Sequence, residues 1–369
     1  MGHTKRILIL YASAGHGHEK AAEAVLEACR ESGAEAHAVD TLRLAPGFFG
    51  NFYRQTYLVQ IKYMPWLWGV FYYSFDVSRV YAVMRWIRRF VNSMTSKRLE
   101  KLILDEKPDT IIATHFLSVE VVSRLKEKGK TLAKIIAVIT DYLPHHVWTA
   151  NCVDLYAVAL AETKEALTRW GIAADKIKVT GIPVEKKFLE NIATEPARRR
   201  LMLDPNLFTA LITSGGAGIG SLRELVEGLT ALKQPVQILA VCGTNKTLFQ
   251  DLSAESRRYS SLKVFSFVDN MEELMAASDL VIGKGGGLTL TESFSKGKPV
   301  ILFQSIPGQE ARNAFCVQKY GAGFVAESAR EAISKVSELL ESPEKLESMK
   351  KGASAMFKGD AARAIARLA

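Results

Sequence analysis

Short apolar runs of strand length alternate with stretches of helical spacing along this chain, and the alternation runs through twice. The first series is Arg6 to Tyr11, Thr110 to Thr114, Ile135 to Ile139, Leu155 to Ala159 and Lys176 to Thr180. The second is Phe208 to Thr213, Val236 to Val241, Leu262 to Phe265, Asp279 to Ile282 and Pro299 to Phe303. Runs this short and this apolar suit strands buried on both faces, which a parallel sheet flanked by helices provides. Two doubly wound α/β domains follow, 1–190 and 200–350, and 369 residues suit two cores better than one. Between them the charged stretch 185–205, with Arg198, Arg199, Arg200 and two prolines, reads as a linker and hinge. Ligands of such sheets bind beyond the carboxyl ends of the strands, so a cleft between the domains is the expected site.

Several classes of protein are disfavoured early. Cys29, Cys152, Cys242 and Cys316 lie far apart without metal-ligand spacing, which argues for core thiols and against structural zinc. The basic start followed by Ile7 to Ala14 resembles a short secretory signal. Its apolar core is too short for one, however, and runs straight into a glycine turn and a helix, as a first strand of a cytosolic domain would.

Residues 283–313 place a glycine turn, an acid and a polar Pro-Gly-Gln-Glu loop within one βα unit. Unpaired backbone amides and the helix dipole at such a turn favour a diphosphate, and Glu292 can accept hydrogen bonds from ribose hydroxyls. That is the layout of a nucleotide-sugar site, although a glycine turn alone is common in any α/β protein. A second glycine turn, Ser214 to Gly220, follows the strand at Phe208 to Thr213. The next strand ends in Cys-Gly-Thr-Asn rather than in the acid of a dinucleotide site, and no Gly-Lys-Ser/Thr closes a Walker loop. Near the N-terminus, Ser13 to His18 lead into an amphipathic helix, so His16 and His18 sit where the dipole disfavours an imidazolium. A neutral histidine there is a candidate general base; a ring merely satisfied by local backbone is the alternative.

Residues 47–91 hold 15 aromatic residues with six Lys or Arg and a single acid, Asp76. Trp66, Trp68, Trp86, Arg85 and Arg88 suit a lipid headgroup boundary. The apolar run Tyr63 to Phe75 is interrupted by Pro65 and Ser74 and is shorter than the roughly 20 residues of a spanning helix. Cations interleaved with aromatics also make a stacking platform for single-stranded nucleic acid, and a plain aromatic core or dimer interface stays open. The net charge of +9 favours an anionic partner without choosing between membrane and nucleic acid.

Taken in order along the chain, Gly17-His18 with Ala21-Ala22, Ile139-Thr140-Asp141 with His145, His146 and Trp148, Gly181 to Val184, the 215–220 loop and Ile306-Pro307-Gly308-Gln309-Glu310 with Asn313 resemble one family. It is that of the monogalactosyldiacylglycerol synthases and processive diacylglycerol glucosyltransferases, within glycosyltransferase family 28. More distantly the chain looks like the lipid-linked N-acetylglucosaminyltransferase of peptidoglycan synthesis. It departs from the pattern at Lys284, Gly286 and Gly287, where plant-type relatives carry a proline, and at His16, where they carry glycine.

The resemblance implies a GT-B fold, two Rossmann-like domains facing each other across a cleft, with a last helix in about 355–369 returning to the first domain. It implies a UDP-sugar, UDP-glucose or UDP-galactose, as co-substrate in the C-terminal domain and diacylglycerol at the N-terminal one, with no cofactor and no metal. His18 would be the base, with Asp141 in reserve or orienting it. Gly216, Ala217, Gly218 and Gly286 would hold the diphosphate and Glu292 the ribose. Gln309 and Glu310 would hold the sugar, with Pro307, Gly308 and Asn313 shaping that pocket. Such an enzyme is monotopic on the cytoplasmic face, meets an anionic membrane surface and binds no nucleic acid. A different lipid-linked acceptor, or a soluble UDP-sugar epimerase of the same architecture, stays open at this point.

Overall fold

The computed structural model describes residues 4–13, 15–44, 66, 69–70, 72–73, 97–213 and 222–369. They form two compact units. Unit 1 comprises Met1–Glu185, Pro307–Gln309 and Lys358–Ala369; unit 2 comprises Lys186–Ile306 and Glu310–Phe357.

Unit 1 is built on a six-stranded parallel sheet in the order β2-β1-β3-β4-β5-β6. Its strands are β1 (Arg6–Tyr11), β2 (Glu35–Asp40), β3 (Thr110–Ala113), β4 (Lys134–Val138), β5 (Leu155–Val158) and β6 (Ile177–Val179). Residues alternate between the two faces, as the two-residue period of a strand requires. Leu8, Leu10, Ile111 and Ile135 join Val119, Val122 and Trp148 on one side. Ile7, Ile9, Ile112 and Ile136 pack on the other against Ala22, Val25 and Cys29 of α1 (His16–Glu31). Each such Leu or Ile, fully buried, contributes about 1.5–3 kcal/mol of hydrophobic stabilisation. The chain's last helix lies on the same face as α1 and brings Ile365 and Ala366 into that cluster. Its end is fastened to the sheet, since Thr110 Oγ1 donates to the Ala369 carbonyl at 3.1 Å and Lys134 Nζ to that of Leu368 at 2.6 Å.

Unit 2 has a second six-stranded parallel sheet, order β12-β11-β10-β7-β8-β9. The strands are β7 (Phe208–Thr213), β8 (Val236–Val241), β9 (Leu262–Phe265), β10 (Leu280–Gly283), β11 (Val300–Phe303) and β12 (Gly323–Ala326). At its centre β7 and β10 run so close that a Cβ on Gly283 would lie 2.8 Å from the Thr213 carbonyl oxygen, so only glycine fits there.

The stretch read as a linker, 185–205, carries structure of its own, a 3-10 turn at Lys186–Phe188 and a helix at Thr194–Arg200. From Lys186 onward it belongs to unit 2, and Arg198 is 6 % exposed. Its guanidinium donates to the Ala277 and Pro205 carbonyls at 2.9 and 2.6 Å and to Asp279 Oδ2 at 2.5 Å. Methionine in its place would keep the volume and leave these acceptors without their donor. We expect Arg198→Met to lower stability by about 3 kcal/mol in urea unfolding. A change below about 0.5 kcal/mol, the range of an ordinary surface substitution, would contradict this packing.

Candidate active site

In both sheets, neighbouring strands whose connections run off in opposite directions create a crevice at the carboxyl edge. In unit 1 that switch point lies between β1 and β3, which pair from Ile7↔Thr110 to Leu10↔Ala113. The chain leaves β1 through the glycine turn into α1, whose N-cap Gly15 offers no side-chain hydrogen bond to the first amides. This delivers His18 to the crevice in the first turn of α1. From the end of β3 the Thr114 carbonyl meets His18 Nδ1 at 2.8 Å, while Thr114 Oγ1 donates to the His18 carbonyl at 2.9 Å. Thr140, just beyond β4, places its Oγ1 3.1 Å from the same Nδ1. The His115 ring stands edge-on to that of His18, centroids 4.6 Å apart.

This geometry fixes the tautomer. A carbonyl oxygen can only accept, so Nδ1 carries the proton and Nε2 keeps its lone pair. Burial of the ring, only partly opposed by the Thr114 hydrogen bond, lowers the His18 pKa to about 4. His115, 2 % exposed, is held well below the usual imidazole range by burial and then by the neighbouring His18. The sequence points to a neutral His18 through the helix dipole; the larger cause is burial, and it makes the ring a weaker base than one poised near pH 7.

The lowered pKa has a sign. Above about pH 6.5 His18 is neutral folded or unfolded and contributes nothing; between 6.5 and about 4 only the unfolded chain takes up the proton. Stability therefore falls as pH drops through that window, by about 3 kcal/mol for this residue. His18→Gln should blunt the acid-side loss, and imidazole NMR of the wild type should show His18 titrating near pH 4. Titration near the ordinary 6.5 would contradict the burial.

Asp141 follows Thr140 directly and is half-buried at the same edge. A cavity of about 440 Å³ lined by Thr149, Tyr156, Trp170 and Lys176 opens elsewhere, where the chain enters β5 and β6 at the amino edge of the sheet. It holds none of the residues above.

In unit 2 the switch point lies between β7 and β10. The two strands end there at Thr213 and Gly283. Gly216, Ala217 and Gly218 lie outside the described residues; the second turn, Lys284 to Gly286, leads into the helix Gly287–Ser295 with Gly286 as N-cap. Glu292 is half-buried on that helix. Asn313, 0 % exposed, donates from Nδ2 to the Gly285 carbonyl at 2.8 Å and so holds the turn from below. Glu310, 7 % exposed, accepts the Ile306 amide on Oε2 at 2.6 Å. The Pro-Gly-Gln-Glu-x-x-Asn element thus braces the glycine turn and its own loop, a role the sequence reading did not include. Lys284 lies in the same turn, and burial lowers its pKa against the attraction of Glu310. Pro307, Gly308 and Gln309 group with unit 1, where Gly308 packs against Tyr72.

Of the residues proposed for the membrane boundary, Trp66 is 65 % exposed; Trp68, Arg85, Trp86 and Arg88 lie outside the described residues. Among the described residues no helix is long and apolar enough to cross a membrane. Thr114 and His115, which surround His18, are not among the residues singled out in the sequence, and Thr140 and Lys284 enter there only as part of a motif and as a departure from one. A polar residue at the carboxyl end of each central parallel strand was the signal available.

Two six-stranded parallel sheets flanked by helices, each with a switch point at its carboxyl edge, are the two Rossmann-like sheets of the GT-B fold. Solved structures share it over nearly the whole chain. MurG of Acinetobacter baumannii matches with a TM-score of 0.63 at 13 % identity, covering 99 % of both chains. Anabaena HepE in complex with UDP-glucose matches at 0.56 and 15 % identity, covering 98 % of each. The monogalactosyldiacylglycerol (MGDG) synthase model matches residues 18–184 and the glycosyltransferase family 28 C-terminal domain residues 209–365. A processive diacylglycerol β-glucosyltransferase of Bacillus pumilus is 33 % identical over 353 residues, covering 95 % of this chain and 90 % of that protein. The chain belongs to this family of diacylglycerol glycosyltransferases and is a UDP-sugar-dependent glycosyltransferase.

Proposed function

We propose that this enzyme transfers a hexose from UDP-glucose or UDP-galactose to the hydroxyl of 1,2-diacylglycerol, forming a β-glycosyldiacylglycerol with inversion. The observation that carries the reading is His18, neutral, with Nδ1–H committed to the Thr114 carbonyl and Nε2 available as a proton acceptor. The acceptor oxygen attacks the anomeric carbon from the face opposite UDP, the C–O bond to UDP breaks, and Nε2 takes the hydroxyl proton. Because the imidazole is a weak base, the transfer comes late, once bonding to carbon has acidified the hydroxyl. Asp141 orients the acceptor or steadies the transient imidazolium.

Charge growing on the leaving UDP is met by backbone amides, for which Gly216, Ala217, Gly218 and Gly286 are the candidates, and by the Lys284 ammonium. Glu292 takes the ribose hydroxyls. Gln309 and Glu310 face sugar hydroxyls, with Pro307, Gly308 and Asn313 shaping and bracing their loop. UDP-sugar is a co-substrate, and the scheme uses no cofactor or metal. Trp66, Trp68, Trp86, Arg85 and Arg88 seat the enzyme on an anionic membrane surface, monotopically and on the cytoplasmic face, where diacylglycerol is presented. No nucleic-acid partner is required.

The donor is tested by measuring UDP release from UDP-glucose and from UDP-galactose, with and without diacylglycerol in liposomes. We expect one donor to be strongly preferred and its turnover to depend on diacylglycerol. Equal, acceptor-independent release from both would contradict the proposal.

A further inference from the structure

The turn that leads into the helix Gly287–Ser295 is crowded on one side and open on the other. A Cβ on Gly285 would lie 2.9 Å from the Glu310 carbonyl oxygen and 3.3 Å from Ser305 Oγ, whereas one on Gly286 would meet no atom of the described residues within 4 Å. The Gly285 carbonyl already accepts from Asn313, and Glu310 Oε2 from the Ile306 amide. Ser305 differs from both. Its Oγ is buried and has no hydrogen-bond partner among the described residues, although the residue as a whole is only half-buried. Gln304, which joins Phe303 at the end of β11 to Ser305, has φ +56. A left-handed conformation is unfavourable for a residue with a Cβ, so the backbone is strained where it sets Ser305 against the glycine turn.

A strained residue followed by an orphaned hydroxyl destabilises the free protein, and such pairs persist where a ligand uses them. The groups around this one say what kind of ligand. The helix amides are left open, since the N-cap Gly286 offers them no side-chain hydrogen bond, and the Lys284 ammonium lies in the same turn. Donors converge there, so the partner is an acceptor, as a phosphoryl oxygen is. A serine hydroxyl reorients by rotation about single bonds, and neither Gly285 nor Gly286 puts a side chain between it and a ligand on the turn. We infer that Ser305 is a sugar-nucleotide-binding residue whose hydroxyl donates a hydrogen bond to a diphosphate oxygen at the Gly285–Gly286 turn. The inference rests on the proposed placement of the diphosphate at that turn. In the free enzyme the hydroxyl is a desolvated donor that lowers stability; in the complex it is a charge-assisted bond that raises affinity. Removing it therefore moves stability and affinity in opposite directions, which the loss of a merely packed serine does not.

The test compares Ser305→Ala with the wild type by urea unfolding of the full-length protein without ligand, and by calorimetric titration of UDP and of uridine, which carries no phosphate. We expect the urea midpoint of the variant to stay level or rise by up to about 0.5 M, its UDP Kd to rise about tenfold or more, and its uridine Kd to change by less than about twofold. A midpoint that falls shows that the hydroxyl is bonded in the free enzyme and overturns the assignment. An unchanged UDP Kd in the variant, beside wild type that binds UDP more tightly than uridine, overturns the assignment and leaves the diphosphate at the turn. An equal loss of UDP and uridine affinity marks a distorted loop and overturns it as well. Wild type that binds UDP no more tightly than uridine overturns the placement of the diphosphate, and the assignment with it.

Discussion

Replacing His18 by alanine is expected to lower kcat/KM for glycolipid formation by about 10²–10⁴-fold, the range of a lost general base, and to leave UDP affinity unchanged. The ring is placed by contacts within unit 1 alone, chiefly the Thr114 carbonyl at 2.8 Å from Nδ1. The residues proposed to meet the diphosphate belong to unit 2, so the variant should separate chemistry from donor binding. Urea unfolding should show a loss of about 1–3 kcal/mol, because alanine leaves the buried Thr114 carbonyl without the Nδ1–H donor. An enzyme that kept a tenth or more of its activity would remove His18 from the role of base. Asp141, beside Thr140 at the same sheet edge, would then be the next residue to replace.

The second large effect is expected at Asn313, a residue with no exposed surface and no need to touch the sugar nucleotide. Its amide is the donor for the Gly285 carbonyl at 2.8 Å, inside the turn whose amides are proposed to face the diphosphate. Leucine of similar size would leave that carbonyl without this donor, which costs about 1–3 kcal/mol. We expect Asn313→Leu to lower stability by about that amount and to raise the UDP Kd by roughly tenfold or more, since a turn that shifts by a fraction of an ångström no longer presents its amides together. Asn313→Asp should be worse, because it sets a carboxylate against a carbonyl. Unchanged UDP affinity in both variants would mean that the turn is held by other contacts and that Asn313 serves the core alone.

How much of this was legible in the sequence differs between fold and site, for a physical reason. Strands buried on both faces are continuous apolar runs, and β1, β7 and β8 begin and end where those runs do. β2 and β12 were missed. They are the outermost strands of their sheets, and β2 alternates exposed, buried and half-buried residues instead of forming an apolar block. Arg198 was misread because three consecutive arginines look like a solvated run, whereas one of them is turned inward onto Asp279 and two carbonyls.

His18 could be found because a glycine turn between a strand and a helix is a local pattern. Thr114, His115 and Thr140 could not, because they surround His18 only through the pairing of β1 with β3 and of β3 with β4, and strand order is not written locally. The Pro-Gly-Gln-Glu-x-x-Asn element was legible as a site, while the internal bracing by Glu310 and Asn313 needed the fold. The packing of Tyr72 on Gly308 is more remote still, joining residues far apart in sequence.

The central claim is inverting transfer to a lipid hydroxyl, and the anomeric configuration of the product tests it most directly. Purified enzyme is incubated with the preferred α-linked UDP-hexose and diacylglycerol liposomes; the extracted lipid is then examined by NMR at the anomeric proton. A β-glycosyldiacylglycerol, absent with His18→Ala, is the expected result. An α-glycoside would contradict single displacement, and UDP binding without any lipid-linked sugar would contradict the assignment of diacylglycerol as acceptor.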